Sequence, residues 1–476
     1  MIALHHQRYP SSCIYNITDL LRITGVVDKV KLIDALQMAY ILHPSCSMTI
    51  KDTDTAVLAS NSTLRSFAEK SVVIHEPINE EDLMAATSAS TKEPFNLSEQ
   101  RGLLRFHVYP IANTNTTVIQ GMVHHLASDG FSGFAISPRV IQFHTREDNF
   151  FWQLVHAHRP AAVDVMLHFN MCQTQLAQTN NSMKDFWNAK VASGEFDNRL
   201  DMLTSAPRGA PTFNGAERIV KVDSSIWEGL QTKSAELGST RFNLLAAAWS
   251  IVVSRYSQQN KFNLGTAFHC RKEDWLDATI FTSNAMPVRV QVDPELNLKD
   301  FVSSLKKSVV SCKVNEEYPA SALIKNILDT KKVVTSQGQS PLFQIEMNYY
   351  HIPSLPKLTT KELVMKERIY PHFMQAGMTD LTAWFVTLNN GVILNIKYNT
   401  DLYKQDLVEQ IESDLINLLK LLVSSAPDTS VNEIVRLSGK SLENRGHGPI
   451  RKGNNYSSSV ACLQFHQVHS FQCSHV

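Results

Sequence analysis

The sequence predicts an α/β or α+β fold with mixed sheets in two lobes. Strands and helices alternate irregularly along it, one strand reads as apolar on both faces, and a polar region around residues 174–184 separates two sets of elements. A chain of 476 residues with 43% hydrophobic residues can bury a substantial core of two or three units.

The elements follow in order. Tyr15, Ile17, Leu21 and Ile23 alternate with mostly polar neighbours and predict a strand. Gly25 then precedes a helix capped by Asp28, with Leu32, Ile33, Leu36, Ala39 and Tyr40 on one face. Residues 117–126 are nearly continuously apolar and rich in β-branched side chains, the pattern of a strand buried on both faces, and end in a turn at Ser128-Asp129-Gly130. Residues 242–256 read as a buried helix, 261–266 as a strand, and 288–292 as a second strand after a break at Pro287. Residues 300–312 are amphipathic through Phe301, Leu305, Val309 and Cys312. Strands are expected at 342–349 and 381–388, the latter turning through Asn389-Asn390-Gly391 into a partner at 392–398. Val408, Ile411, Leu415, Leu418 and Leu422 mark a long closing helix, and from Ser438 the polar sequence reads as a linker or tail.

Charge narrows the function. The 45 basic and 45 acidic residues cancel, and no long Lys/Arg run is present, so neither nucleic acid nor an anionic membrane is an expected partner. Residues 1–11 lack the pattern of a secretory signal, and the longest apolar stretch, 244–253, is too short to span a bilayer. A cytoplasmic protein is expected. The seven scattered cysteines have no CxxC spacing and predict free thiols rather than a metal site.

The chemistry concentrates in residues 122–130. Adjacent side chains at a strand end point to opposite faces, so of His124 and His125 one can work while the other packs. Asp129 can fold back to hold the local backbone, and Gly130 permits geometry other residues resist. This is not the HExxH spacing of zinc proteases, Ser128 lacks a Gly-x-Ser-x-Gly context, and no Gly-rich phosphate loop offers an ATP site. Read alone, the segment is also compatible with a buried strand end holding two satisfied rings. The histidines at 144, 156, 158 and 168 read as surface or interface residues.

His124-His125-Leu126-Ala127-Ser128-Asp129-Gly130 resembles the HHxxxDG signature of nonribosomal peptide synthetase condensation domains, of the chloramphenicol-acetyltransferase-like superfamily and of fungal type. Lys92-Glu93-Pro94-Phe95-Asn96-Leu97 and Gly102-Leu103-Leu104-Arg105 resemble the PFDL and GPLLR segment. Leu244 to Trp249 with Ser254-Arg255-Tyr256, then Leu264 to Arg271, resemble LLAAW, SRY and GTPVAGR. Asn284 to Arg289 resembles NTLPLR, Ser340 to Gln344 through Asn348-Tyr349 resembles PLFQVMFNY, and Asp380-Leu381-Thr382 and Tyr398 to Tyr403 complete the match. Three departures stand out: the first motif is recognisable only at Gln7 and Arg8, RHExLRT is degraded to Leu42-His43-Pro44-Ser45-Cys46-Ser47-Met48 with loss of charged contacts near the channel, and 456–463 looks like a linker into an adenylation domain that does not follow. A unit cut from a synthetase, or a free-standing descendant, is expected.

The resemblance implies an α+β sandwich: two chloramphenicol-acetyltransferase-like lobes in a V-shaped pseudo-dimer with a tunnel between them. It places the HHxxxDG lobe at 1–176, a second lobe with floor-loop and latch-like crossovers at 177–434, and a linker-like tail at 435–476. The implied catalytic set is His125, Asp129 and Gly130, with His125 as the active imidazole and Gly130 offering its N–H to a developing oxyanion. His124 and Arg271 would support it, Asp129 pairing with Arg271, while Ser128, Asn348 and Trp384 would line the substrate channel; a core role for Trp384 is the alternative. The implied reaction joins an acyl thioester donor to an amine, with both substrates on phosphopantetheine arms of peptidyl or acyl carrier proteins, alongside other synthetase or polyketide synthase modules, and with no bound cofactor or metal. Two alternatives remain: an acyltransferase using acyl-CoA or a carrier with a free alcohol or amine, and a non-catalytic docking platform or decayed remnant.

Overall fold

The computed structural model describes residues 5–6, 9–51, 55–99, 101–144, 181–197, 200–209, 212–271, 273, 279–330, 340–352, 363–369, 379–388, 391–438 and 472–475. The first half of the chain runs β1 (Asn16–Thr24), α1 (Lys29–Leu42), β2 (Met48–Ile50), β3 (Thr55–Leu58), α2 (Asn61–Ser71), β4 (Val72–Ile74), α3 (Leu83–Thr91), β5 (Leu104–Pro110), β6 (Thr116–His124) and α4 (Gly130–His144). The second runs α5 (Asn181–Ala192), β7 (Gly215–Val222), α6 (Ser224–Glu236), α7 (Arg241–Ser257), β8 (Lys261–Phe268), β9 (Asn284–Gln291), α8 (Leu298–Val314), α9 (Ala320–Asp329) and β10 (Ile345–His351). It closes with β11 (Val364–Ile369), β12 (Leu381–Leu388), β13 (Gly391–Asn399), α10 (Gln405–Ser424), α11 (Val431–Leu437) and β14 (Gln472–His475).

Two mixed sheets organise these elements. The first has the order β11-β1-β6-β5-β4 and the second β7-β13-β12-β10-β8-β9; a small third sheet joins β14, β3 and β2. Residues expected to form the opening helix do so because Asp28 accepts the Lys31 N–H at 2.9 Å, satisfying one of the first-turn donors. The apolar stretch in α7 is buried on all sides, with Leu244, Leu245, Trp249, Ile251 and Val252 inside a core shared with α6, α8 and α10.

One sheet borrows from the other half of the chain. β11, which lies in sequence between two strands of the second sheet, pairs antiparallel with β1 at the edge of the first. Arg368 of β11 meets Asp19 of β1 at 2.8 Å in a buried ion pair. Burial pushes the Asp19 carboxyl up, and Arg368 opposes that.

Several boundaries shift for physical reasons. Pro287 does not break the chain; it pairs with Gly265 inside β9, an edge strand where a missing N–H is tolerated. The histidine-bearing strand stops at His124, and residues 125–127 form the turn, so Gly130 opens α4 instead of sitting in a turn. α11 carries buried Ile434 and Val435, so packed structure continues past the boundary placed at 434. Residues 174–180, Asn389-Asn390 and most of the polar tail lie outside the described residues.

Candidate active site

The end of β6 sorts the two histidines onto different faces. The His124 main chain continues the sheet, its N–H donating to the Leu103 carbonyl at 3.0 Å, while its Nδ1 accepts the Leu126 N–H at 3.2 Å. Its ring lies among Phe95, Tyr15 and His6, and burial holds it well below the ordinary histidine range. His124 is a packed, neutral ring that fixes the turn.

His125 is held differently. Its N–H donates to the Tyr15 carbonyl at 2.8 Å, and its ring stands edge-to-face between Tyr15, at 6.3 Å, and Phe281, at 5.1 Å. Among the described residues no hydrogen bond reaches its buried Nδ1, which leaves Nε2 as the nitrogen able to meet a substrate. Burial lowers its pKa; main-chain groups of His125 and Ser128 and the Asp129 charge oppose the shift, and Lys397 adds to it. The ring is therefore neutral at pH 7.

Asp129 is the hub of the loop. Its Oδ1 accepts from Arg271 Nη2 at 2.9 Å and from the Ser132 N–H and hydroxyl, and its Oδ2 accepts from the Thr282 N–H at 3.1 Å and hydroxyl at 3.0 Å. Neither side chain of the Asp129–Arg271 pair is exposed. Burial opposes the carboxylate charge, but Arg271 with the Thr282 and Ser132 donors outweighs it and holds the carboxyl below its usual range.

The loop is clasped to the second half of the chain at further points. Arg271 Nη2 donates to the Ile280 carbonyl, which also lies within hydrogen-bond reach of the Ser132 hydroxyl. From the degraded motif at 42–48, the Ser45 hydroxyl lies within hydrogen-bond reach of both the Ala127 and Thr279 carbonyls and shares its one proton between them. Segment 279–282 thus carries Phe281 onto the His125 ring while its neighbours bind the histidine loop.

Gly130 needs space rather than an unusual backbone angle: it is absent from the positive-φ glycines, and a Cβ there would meet Tyr350 Cε1 at 3.0 Å. Tyr350 packs on Trp384 with ring centroids 5.1 Å apart, and the Lys397 ammonium lies 4.0 Å from the Trp384 centroid. Trp384 therefore belongs to the wall facing the histidine loop, partly buried against the core that β1, α1, β5 and β6 share. Ser128 does not line a channel; it is fully buried, bonded to Ser132 and the Asp129 carbonyl, because the loop turns it inward. Asn348 is also buried, bonded to the Ala267 N–H and to Glu346.

Tyr15, Ser45, Phe281, Thr282, Tyr350, Glu346 and Lys397 were not among the sequence candidates. Lys397 and Glu346 had a readable signal. In β13, Val392, Leu394 and Ile396 alternate with Ile393, Asn395 and Lys397, so polar side chains mark the face turned away from the helical core. Among the described residues, no group of three or more His, Cys, Asp or Glu side chains is arranged to hold a metal, and no helix is long and apolar enough to cross a membrane.

The family described as "Condensation domain" matches residues 2–443. Gramicidin S synthase 2 of Aneurinibacillus migulanus is 26% identical over 73% of this chain, and tyrocidine synthase 2 of Brevibacillus parabrevis is 20% identical over 91% of it. The chain spans 7% and 12% of those relatives' own lengths. Among solved structures, a four-domain nonribosomal peptide synthetase bound to AMP and glycine superposes with a TM-score of 0.72 at 18% identity, over 91% of this chain and 33% of that one. The condensation domain of the monacolin K polyketide synthase superposes with a TM-score of 0.69 at 14% identity, over 90% of this chain and 96% of that one.

Proposed function

The chain belongs to the condensation-domain family, and from that premise we propose that it joins an acyl thioester donor to an amine acceptor. The observation that carries this reading is a neutral His125 ring held edge-to-face between Tyr15 and Phe281 on a loop pinned by Asp129, Arg271 and Thr282. We assign both substrates to phosphopantetheine arms of peptidyl or acyl carrier proteins within nonribosomal peptide or polyketide-peptide synthesis.

The amine nitrogen attacks the thioester carbonyl carbon, forming the C–N bond while the carbonyl electrons move to oxygen. His125 Nε2 takes the proton the nitrogen must lose, a role suited to a neutral imidazole. Collapse re-forms the carbonyl and breaks the C–S bond, and the imidazolium returns its proton to the leaving thiolate. The Gly130 N–H, at the start of α4, is assigned to the developing oxyanion. Asp129, Arg271, His124 and Thr282 act through the loop as positioning residues. Much of the rate comes from holding two carrier-bound reactants together. The wall with Trp384 and Tyr350 borders the acceptor side. We divide the chain into a histidine-bearing lobe and a second lobe that returns β11 to the first sheet.

The test is intact-protein mass spectrometry of carrier proteins loaded separately with acyl and aminoacyl groups. Wild-type chain should move the acyl mass onto the aminoacyl carrier, and His125→Ala, still folded, should not. Transfer to a free alcohol or amine without any carrier would replace the reading by a small-molecule acyltransferase. Carrier binding with no transfer anywhere would replace it by a docking platform.

A further inference from the structure

The face of the second sheet turned toward the histidine loop carries charge in a row. β-pairing sets Glu346 opposite Thr382, Thr382 opposite Lys397, and Lys397 opposite Glu217, so four side chains on four adjacent strands share one face. Their neighbours along each strand, among them Ile345, Met347, Leu381, Ala383 and Ile396, fill the helical core on the other face. In the PLFQVMFNY pattern, the position of Glu346 is a methionine.

This row connects by contact to the catalytic loop. The Lys397 ammonium lies over Trp384, Trp384 packs on Tyr350, and Tyr350 stands against Gly130. Tyr350 also follows Glu346 on the same face of β10. Glu346 is fixed from one side: Asn348 Nδ2 donates to its Oε1 at 2.9 Å, and Asn348 Oδ1 accepts the Ala267 N–H at 2.8 Å, which locks the amide's orientation. Among the described residues, no hydrogen bond reaches its Oε2, and the residue is only half-buried.

The charges do not balance within the row. Two carboxylates face one ammonium, and Glu217 is the one paired directly with Lys397 in the sheet register. Burial pushes the Glu346 carboxyl up, with Asn348 and Lys397 opposing. A partly buried carboxylate with one oxygen fixed and one open gains most from a ligand that brings both N–H donors and positive charge.

We propose that Glu346 is a specificity-determining residue of the acceptor site, its Oε2 accepting an N–H from the incoming ammonium or amine and so selecting amines over alcohols of the same shape. The inference deepens the condensation reading and rests on its amine acceptor. The ammonium arrives bonded to Glu346, releases one proton to solvent, and the resulting amine keeps one N–H on Oε2 while its lone pair faces the thioester carbon. The second proton leaves through His125 after attack. A hydroxyl acceptor has one O–H and no positive charge, so binding at Glu346 gives it less.

The experiment compares equilibrium binding of matched pantetheine amides, alanyl against lactyl, leucyl against its 2-hydroxy counterpart, and phenylalanyl against its own, to wild-type chain and Glu346→Gln. At least one amino member should bind wild type tenfold or more tightly than its hydroxy partner. That preference should fall to threefold or less in Glu346→Gln, with hydroxy affinity changed less than twofold. An unchanged preference in the variant, or a parallel loss of both affinities, overturns the proposal. Should Glu346→Gln not fold, equal affinity of wild type for the two members of every pair overturns it, and a tenfold preference supports it. Because the readout is binding, an amine preference that depends on Glu346 with no acyl transfer from any carrier sinks the condensation reading while leaving the amine subsite standing.

Discussion

Arg271 Nη2 and Asp129 Oδ1 meet at 2.9 Å with both side chains fully enclosed, joining the histidine loop to a segment 142 residues away in the chain. Two charges removed from water are stable only when their remaining bonding capacity is filled. Here Thr282 and Ser132 donate to the carboxylate, and the Ile280 carbonyl accepts a further N–H from Arg271 Nη2.

Breaking this pair on one side leaves a buried charge behind. Arg271→Met should therefore lose about 3–5 kcal/mol of stability, as one-sided removals do. Asp129→Asn combined with Arg271→Met should cost less than the sum of the two single changes, since neither charge is then stranded. Urea unfolding of the four proteins measures the difference, and strict additivity would sink the idea that the ions stabilise the loop as a pair. The pH dependence follows from the direction of the Asp129 shift. Its folded pKa lies below the unfolded value of about 3.9, so the contribution is complete above that value and is lost as pH falls through the folded pKa. Wild-type stability should drop in that acid window by more than that of Asp129→Asn.

His125 gives a prediction on a different pH limb. Its folded pKa lies below the usual value of about 6.5, so the neutral ring persists on the acid side of that value. If His125 limits the rate, the acid limb of transfer should have its midpoint below the usual histidine value of about 6.5. A profile already half lost at pH 7 would mean the ring is protonated where the site needs a base. Burying a neutral ring also favours protonation of the unfolded chain, so this group's contribution is present above about 6.5 and weakens below it.

The strands and helices that carry period-2 or all-round apolar patterns were legible in the sequence, because burial dictates residue type along Leu244 to Val253 and at Leu381 to Leu388. Strand alternation suggested that His124 and His125 would part, but the strand ends at His124 and it is the turn at 125–127 that sets the His125 ring against Phe281. The roles of Ser128 and Gly130 were not legible. Whether a serine lines a channel depends on how the loop folds inward, and whether a glycine serves backbone angle or space depends on Tyr350, which lies 220 residues away. Nor did the sequence reveal Phe281 or Thr282 as partners of the loop, because their contacts with His125 and Asp129 are purely tertiary.

Ser45 tests whether the altered second motif still serves the site. Its hydroxyl touches carbonyls of both Ala127 and Thr279, so it ties the loop after His125 to the segment before Phe281. Ser45→Ala should cost about 1–2 kcal/mol, the loss of a buried hydrogen-bonding group, and should lower transfer more than the stability loss alone explains. Measuring both at a temperature where wild type and variant are fully folded separates the two. Unchanged turnover with lowered stability would reduce Ser45 to a purely structural strut.

Gly130 offers a test of space against backbone strain. If the glycine were required for its backbone angle, any side chain there would be harmful whatever stood opposite. Its φ is not positive, and it opens a helix in which alanine is the preferred residue. The obstacle is Tyr350, whose Cε1 would lie 3.0 Å from the new Cβ. Gly130→Ala should then cost about 1–3 kcal/mol by overpacking and reduce transfer by displacing the loop. Combining it with Tyr350→Leu should recover a large part of that loss, giving a favourable coupling of about 1 kcal/mol or more in a double-mutant cycle. Additive losses would point back to the backbone, and transfer by Gly130→Ala at the wild-type rate would show that the wall formed by Tyr350 and Trp384 yields without disturbing His125.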